Sequence, residues 1–404
     1  MTSRRYVSLI IILGSLTALG PFSIDMYLPG FQDIATNLHT SVATVALSLS
    51  SFFIGISVGQ LLYGPLLDRH GRKKPLYAGL LVYILSSAAC LWVTHIDALI
   101  ALRFIQAVGS CAATVAAMAM VRDLFGAKES AKVFSLLLLV VGASPMIAPT
   151  VGGYVISLYG WRAVFVILLG LSILITIVTI IGLPESYQPD TSFSLRPKPI
   201  LKNFLSVLRD RQFITYALAG SFGFAGLFAY VSGSPYIFMD LFHVDKRTYG
   251  WIFAGLSVGF IGISQFNTLL LRQFSSKQIV WVSLSGQVLI SLLFLGGNMA
   301  GWYGLPSTLV FIFLFLVCVG FTYPNAAALC LAPFSKNVGS ASALMGALQM
   351  GVGALASVGI SLFSNGTSNP MIAVMAVTSI LALGIIFAGK SLVLATGDSQ
   401  PVLH

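Results

Sequence analysis

Charged residues are scarce in this chain of 404 residues: they make up 8% of it, against 57% hydrophobic residues. The mean hydropathy of +0.93 lies far outside the range of soluble globular proteins. Histidine is rare too, and His39, His70, His95, His243 and His404 all fall in loops or in the tail. A membrane protein is therefore predicted. Nothing in this pattern supports an intramembrane enzyme, a metal site or a bound cofactor.

Cysteine is equally sparse, and its placement excludes two further classes. Cys90, Cys111, Cys318 and Cys330 all fall inside apolar stretches, which argues against a disulfide framework and against a zinc site. The net charge of +10 does not indicate a nucleic-acid partner. Aromatic and basic residues are not interleaved on any face, and the basic residues fall in loops.

What the sequence does contain is a series of long apolar runs, which predict twelve membrane-spanning helices. They are placed near residues 7–31, 42–66, 76–93, 98–121, 133–157, 163–183, 212–240, 249–271, 278–297, 305–332, 339–363 and 370–389. The predicted fold is an all-α membrane protein with two six-helix bundles, at 1–185 and 211–404. Four prolines and several basic residues mark the polar interval from Pro184 to Arg211, so residues 186–210 are predicted to be a cytoplasmic linker.

The distribution of positive charge predicts the orientation. With both termini in the cytoplasm, 18 of the 22 Lys and Arg residues fall on the cytoplasmic side. Arg162, Lys246 and Arg247 fall outside, and Arg103 lies within a span. Cytoplasmic loops of membrane proteins carry an excess of Lys and Arg, so both termini are predicted to be cytoplasmic. The first apolar run has no small-residue cleavage site and is predicted to be a helix, not a signal peptide.

Among the acidic residues, Asp25 alone falls clearly inside an apolar span. An ionised carboxylate at membrane depth costs about 2.5–3.5 kcal/mol on insertion scales, so Asp25 is predicted to bind and release a proton. Pro21 and Pro29, four residues before and after it, loosen the backbone hydrogen bonding around it. The alternative is a structural carboxyl near the outer mouth that is paired or hydrated.

Arg103 is the matching cation, on the fourth predicted helix. It shares one helical face with Gln106, Ser110 and Thr114. An arginine cannot neutralise itself by losing a proton, so it must face water, a carboxylate or backbone carbonyls. We predict that the positive charge of Arg103 influences at which stage Asp25, or a substrate, holds or releases charge. A purely structural arginine is the alternative.

A basic tight turn, GPLLDRHGRKKPL at residues 64–76, joins the second and third predicted helices. Its pattern G-x-L-x-D-R-x-G-R-K-x-x-L resembles the loop between helices 2 and 3 of the major facilitator superfamily of transporters. The pattern residues Gly64, Asp68, Arg69, Gly71 and Arg72 match it, whereas Leu67 stands where a smaller residue is usual.

This resemblance implies a latch on the cytoplasmic side. Asp68 is expected to cap the start of the eleventh helix near Ser340, where a negative charge is favoured, and Arg72 is expected to pair with Asp123. Such contacts would hold the cytoplasmic side shut while the cavity faces outward. A basic loop that only sets the topology is the alternative.

On the fifth predicted helix, SPMIAPTVGG at residues 144–153 resembles the g-x-x-x-G-P-x-x-G-G motif of the superfamily's antiporters. Pro145 and Pro149 predict a kinked helix, and Gly152 and Gly153 allow a neighbouring backbone to approach closely. Ser144 and Ala148 replace two of the motif's glycines. A helix kinked only for packing is the alternative.

The segment SIDMYLP at residues 23–29, taken with these motifs, is similar to the Bcr/CflA branch of bacterial drug/proton antiporters, which includes bicyclomycin and chloramphenicol exporters. The resemblance implies a proton-coupled efflux antiporter that exports drugs or amphipathic small molecules across the bacterial inner membrane by alternating access. Asp25 is then the proton site and Arg103 its coupling partner. The proton gradient supplies the energy, the bilayer, protons and a small molecule are the partners, and a monomer suffices.

Two other functions stay open at this point. A proton-linked or facilitative importer of a metabolite has the same fold, and the substitutions at Ser144 and Ala148 keep it under consideration. A non-transporting receptor is the other function that stays open.

A single carboxyl in the first helix argues against two-proton coupling and against export of divalent cations.

The substrate site is predicted from aromatic, methionine and amide side chains on helices expected to line the cavity. Apolar walls with a few polar groups suit amphipathic small molecules, although each residue taken alone fits packing or lipid contact better than ligand contact. The candidates are Tyr27, Gln106, Met146, Phe224, Phe228, Tyr230 and Gln349.

Overall fold

The computed structural model describes residues 3–189, 197–334 and 338–394, and every regular element within these ranges is helical. The α-helices are α1 (Ser3–Asp25), α2 (Phe31–Asn37), α3 (Val42–His70), α4 (Lys73–Ala89), α5 (Ile96–Leu124), α6 (Ala127–Tyr159), α7 (Arg162–Gly182), α8 (Pro197–Leu208), α9 (Arg211–Pro235), α10 (Lys246–Leu270), α11 (Ser276–Met299), α12 (Leu305–Leu331), α13 (Val338–Leu362) and α14 (Asn369–Leu394).

Twelve segments of the described ranges are long and apolar enough to cross a membrane. The first includes α2 and most of α1, and every other helix except α8 forms, contains or lies within one. The predicted all-α fold with twelve spans is therefore confirmed. The division into bundles 1–185 and 211–404 remains a prediction.

Local sequence sets the helix ends. Polar N-caps begin several spans: the Ser41 hydroxyl accepts a hydrogen bond from the Thr44 amide at 3.1 Å, and the Asp210 carboxylate accepts one from the Phe213 amide at 2.7 Å. Gly71 ends α3 with φ of 81°, a backbone conformation that glycine adopts without strain. The tight turn at residues 64–76 is thus built by the sequence itself.

The predicted linker contains a helix that the sequence did not predict. α8 begins at Pro197, and proline is well tolerated in a first helical turn. Phe204 and Val207 pack into a core formed by α9, α11, α12, α13 and α14, while the Asn203 amide donates to the Ser340 hydroxyl at 2.8 Å. Residues 190–196 of the predicted linker lie outside the described ranges.

Two helix pairs join the predicted bundles: α3 packs against α13, and α6 packs against α10. In the first pair the Ser357 hydroxyl lies 2.6 Å from the Ser50 hydroxyl and 2.6 Å from that of Ser232. In the second pair the Thr150 hydroxyl donates to the Gly250 carbonyl at 3.1 Å. These interfaces place residues of both halves around the candidate site.

Candidate functional site

Asp25 is the last residue of α1. The sequence predicted one continuous helix over 7–31, but α1 stops at Asp25, and a short 3-10 turn at Leu28–Gly30 precedes α2. Pro29 lies in this turn, and its missing N–H explains why the α-helix does not continue. The Asp25 side chain is buried, and within the described residues neither of its oxygens receives a hydrogen bond.

Arg103 is fully buried and contacts the end of α1. Its Nη2 donates to the Ser23 carbonyl at 2.7 Å, and its Nη1 donates to the Gln106 side chain. The guanidinium carbon lies 4.3 Å from the centre of the Tyr27 ring and 4.2 Å from that of Phe52. These are favourable cation–π contacts. The prediction that Arg103 must find carbonyls, a carboxylate or water is confirmed by its carbonyl contact.

No hydrogen bond or ion pair between the described side chains joins Arg103 directly to Asp25. The link runs through the backbone, because Arg103 holds the carbonyl of Ser23, two residues before Asp25. The Ser23 hydroxyl also lies 2.6 Å from that of Tyr83 on α4. Helices α4 and α5 therefore fix the segment of α1 that ends at Asp25.

The glycine pair of α6 packs between this turn and the start of α10. A Cβ atom on Gly152 would overlap the carbonyl oxygen of Met26, and one on Gly153 would overlap that of Lys246 at the start of α10. On the facing helix, a Cβ on Gly250 would lie 2.7 Å from the Thr150 Cα. Pro145 and Pro149 lie within α6, as predicted. The motif thus lets α6 contact the Asp25 turn and the other half of the chain at once.

Charged and polar side chains join the two halves at the same end of the molecule. Lys246 Nζ lies 2.7 Å from both carboxylate oxygens of Asp33, and the Gln32 amide donates to Asp240 at 2.9 Å. We call this set, with the contact of α6 and α10 beside it, the outer seam, because the sequence predicts that this end faces outward. These pairs lie more than 200 residues apart in the chain, and the sequence prediction missed them.

At the opposite end, Arg72 connects the basic turn to α5. Its Nε donates to Asp123 at 2.7 Å and its Nη1 donates to Asp68 at 2.8 Å, so the predicted contact between Arg72 and Asp123 is present. Within the described residues, Asp68 bonds Arg72, and the Ser340 hydroxyl is bonded by Asn203 of α8, so the expected contact of Asp68 with the start of α13 stays a prediction. Residues 335–337, just before α13, lie outside the described ranges.

Comparison with known proteins identifies the family. A model of the Major Facilitator Superfamily matches residues 13–357. The chain belongs to this superfamily. A Bacillus subtilis relative, the uncharacterized MFS-type transporter YdgK, is 32% identical over 94% of each chain. The bicyclomycin resistance protein homolog of Haemophilus influenzae is 28% identical over 93% of this chain and 94% of its own, and multidrug resistance protein D of Escherichia coli is 27% identical over 91% and 92%. The predicted resemblance to the Bcr/CflA branch is confirmed.

Solved structures with the same fold include a bacterial homolog of the human lysosomal transporter Spinster in an inward-facing, occupied conformation. Its TM-score is 0.76 at 13% identity, and the match covers 98% of this chain and 99% of that one. A D-xylose–proton symporter matches with a TM-score of 0.74, also at 13% identity, over 94% and 97%. At such identities the likeness shows the fold alone. The chain is a multi-pass membrane transporter of the major facilitator fold.

The transporter holds its basic turn with a residue that the sequence prediction missed. Glu185, just after α7, accepts hydrogen bonds from the backbone amides of Arg72 at 2.8 Å and Lys73 at 3.1 Å. A carboxylate at the start of a helix satisfies free amides and is favoured by the helix dipole. Its position directly after the last apolar residues of the sixth span was the signal available.

Gly64 and Arg69 lie on the last turns of α3, and both are partly exposed.

The predicted substrate residues lie on several helices of the transporter. Tyr27 and Gln106 are buried around Arg103, and Met146 is partly buried on α6. Tyr230 is buried and stacks on Phe253, with ring centres 5.3 Å apart.

A second group lies where the halves meet. The Phe228 ring lies 4.5 Å from the Phe53 ring of the first half and 5.3 Å from that of Phe224. The Phe224 ring is in turn 4.8 Å from that of Tyr323, and Gln349 is buried on α13. The structure therefore brings Phe224 and Phe228 into one aromatic wall that crosses from one half to the other.

Proposed function

We propose that the transporter is a proton-driven antiporter that exports amphipathic small molecules across the bacterial inner membrane by alternating access. The observation that carries this proposal is Asp25, a buried carboxyl at a helix break with no donor among the described residues. An ionised carboxylate in such surroundings costs free energy that protonation removes. Proton occupancy of Asp25 and the conformation of this turn are therefore linked.

Arg103 has the coupling role in this proposal. Its charge cannot titrate, and it is fixed by the Ser23 carbonyl and by two aromatic faces. A movement of the Asp25 turn on proton binding changes the Ser23 position and hence the contact with Arg103. Arg103 acts as a constant positive charge against which a proton or a substrate exchanges.

The described contacts support a state closed toward the outside. Asp33 with Lys246 and Gln32 with Asp240 join the halves at the outer seam, whereas at the other end the Asp68 carboxylate hydrogen-bonds Arg72 of its own half, among the described residues. With both termini in the cytoplasm, as the Lys and Arg distribution predicts, the cavity of this state opens inward. Substrates enter from the cytoplasm past the aromatic wall of Phe224 and Phe228. The names of the bicyclomycin and multidrug resistance relatives support drugs as the substrate class.

The test uses purified protein in liposomes with a pH-sensitive dye inside and a panel of antibiotics added outside. We expect substrate-triggered proton movement in the wild type, and loss of uphill export in Asp25→Asn and Arg103→Ala. Asp97→Asn removes an exposed carboxyl at the start of α5 and serves as the matched control. Full uphill export by Asp25→Asn would refute the assignment. Solute flux without proton movement would indicate a uniporter or a facilitative importer instead.

A further inference from the structure

A second carboxyl lies in the outer seam, and the proposed function does not use it. Asp240 belongs to a π-helical turn, Tyr236–Leu241, that follows α9 directly. Such turns are rare and are frequently found at functional sites. The turn begins immediately after Pro235, which lies at the end of α9. Asp240 thus occupies an irregular outer end of the seventh span, as Asp25 does in the first.

The two oxygens of Asp240 have different surroundings. Oδ1 accepts the hydrogen bond from the Gln32 amide, a contact between the two halves. Oδ2 is buried and has no hydrogen-bond partner among the described residues. A buried oxygen of an ionised carboxylate without a donor is costly, whereas a proton on that oxygen cancels the charge and leaves the bond to Gln32 intact.

The charged groups around Asp240 are already engaged elsewhere. Lys246 binds both oxygens of Asp33, and Arg247 lies over the Tyr154 ring. The Thr248 hydroxyl and backbone amide donate to Asp245 and lower the pKa of that exposed N-cap carboxyl, so it stays ionised. Two titratable groups remain nearby: Tyr236 on the same turn and the exposed His243 in the following loop.

We propose that Asp240 is a proton-binding site of the outer seam, and that closure of the seam requires its protonation. When the halves separate on the outside, the Gln32 bond breaks and water reaches both oxygens, so the carboxyl loses its proton to the outer solution. When the halves close, a proton from that solution binds Oδ2. The closed state therefore binds one proton more than the open state at this residue. The assignment of this end as the outer one rests on the proposed function.

Linkage fixes the sign and size of the effect. Because the closed state holds the extra proton, lowering the pH favours closure, and raising the pH favours opening. For one proton, the ratio of closed to open molecules changes by about tenfold per pH unit, between the pH at which the open form protonates and that at which the closed form does. External protons thus favour the closed seam, and with it the return of the emptied carrier toward the cytoplasm, without being carried across the membrane at Asp240.

The experiment measures the distance across the outer seam as a function of pH, without substrate. Spin labels are placed at the exposed Thr36 and Ser364, in protein reconstituted in lipid, in an Asp25→Asn background that removes the other buried carboxyl. We expect the fraction with the short distance to rise as the pH falls, and this dependence to disappear in Asp25→Asn/Asp240→Asn. Asparagine keeps an oxygen that accepts from Gln32, so closure itself is retained. His243→Asn is the matched control and should keep the pH dependence.

Two results would overturn the proposal: a distance distribution in the Asp25→Asn background that does not change with pH, or an unchanged pH dependence after Asp240→Asn is added. Infrared difference spectra between acidic and alkaline samples give a second readout. The carbonyl stretch of a protonated carboxyl should weaken in Asp240→Asn and not in Asp97→Asn. Neither measurement requires transport. Failure of the liposome assay above, with a positive result here, would refute antiport and leave the proton site standing.

Discussion

Replacing Gly250 by alanine tests the outer seam with one added methyl group. The new Cβ would lie 2.7 Å from the Thr150 Cα and 2.9 Å from the Pro149 carbonyl oxygen. Non-bonded carbon atoms pack at about 3.5–4.0 Å, so α6 and α10 must move apart by about 1 Å. Both neighbouring atoms belong to the backbone, and no side-chain rotation relieves the overlap.

The expected cost follows from core overpacking, which typically amounts to about 1–3 kcal/mol. This cost falls on the closed seam and disappears when α6 and α10 separate. We therefore expect Gly250→Ala to shift the equilibrium toward the state open to the outside by about 5- to 150-fold. Gly255→Ala is the matched control, because it lies on the same helix and its Cβ meets nothing within 4 Å. Both substitutions add the same helix propensity, so the difference between them isolates the contact.

The assay is the distance between spin labels at Thr36 and Ser364 across the outer seam, in lipid and at constant pH. Gly250→Ala should increase the fraction with a long distance, and Gly255→Ala should match the parent protein. Equal distributions for the two variants would refute the reasoning. A Gly250→Ala protein that fails to fold would show in its melting temperature, and the comparison with Gly255→Ala would then be repeated at a lower temperature.

The remaining predictions concern charged contacts at the two ends. Replacing Lys246 with methionine removes the ion pair with Asp33. Because this pair is partly exposed, we expect the free energy of the closed seam to rise, relative to the open one, by about 0.2–1 kcal/mol. The swapped pair Asp33→Lys/Lys246→Asp should restore most of the closed population, and a swap no better than the single change would contradict a direct ion pair. At the other end, Glu185→Gln should lower stability by about 0.5–2 kcal/mol through loss of a charged cap. A melting temperature equal to that of the control Glu129→Gln would contradict it.

Elements set by local sequence could be predicted. Apolar length gave the twelve spans, because each must cross the same thickness of hydrocarbon. The 64–76 turn and the contact of Arg72 with Asp123 followed from a dense family pattern. The burial of Arg103 followed from its place in an apolar run, since a charged side chain at that depth must turn inward.

Other features depend on tertiary geometry and could not be predicted. The break after Asp25 was placed too late because residues 26–28 continue the apolar run, and only Pro29 and Gly30 beyond them signal a helix end. The linker helix α8 was not predicted because prolines usually indicate a loop. Those of α8 lie in its first turn, where proline is compatible with a helix. The pairs Asp33–Lys246 and Gln32–Asp240 join residues whose separation in the chain carries no periodic signal. The hydrogen bond of Asp68 to Arg72, and that of Ser340 to Asn203 of α8, depend on how the turn and the linker helix pack, which the family pattern does not record.

The two glycines of α6 suggest how the proposed proton site acts on the seam. Gly152 contacts the Met26 carbonyl, one residue after Asp25, and Gly153 contacts the Lys246 carbonyl, in the residue that binds Asp33. One short stretch of backbone therefore touches both the proposed proton-binding turn and the start of α10. Because packed backbones in contact cannot be compressed, a shift of the turn on proton binding displaces α6 against α10. Side chains at these positions would separate the three backbones, and the movement would be lost in side-chain rotation before it reached the seam.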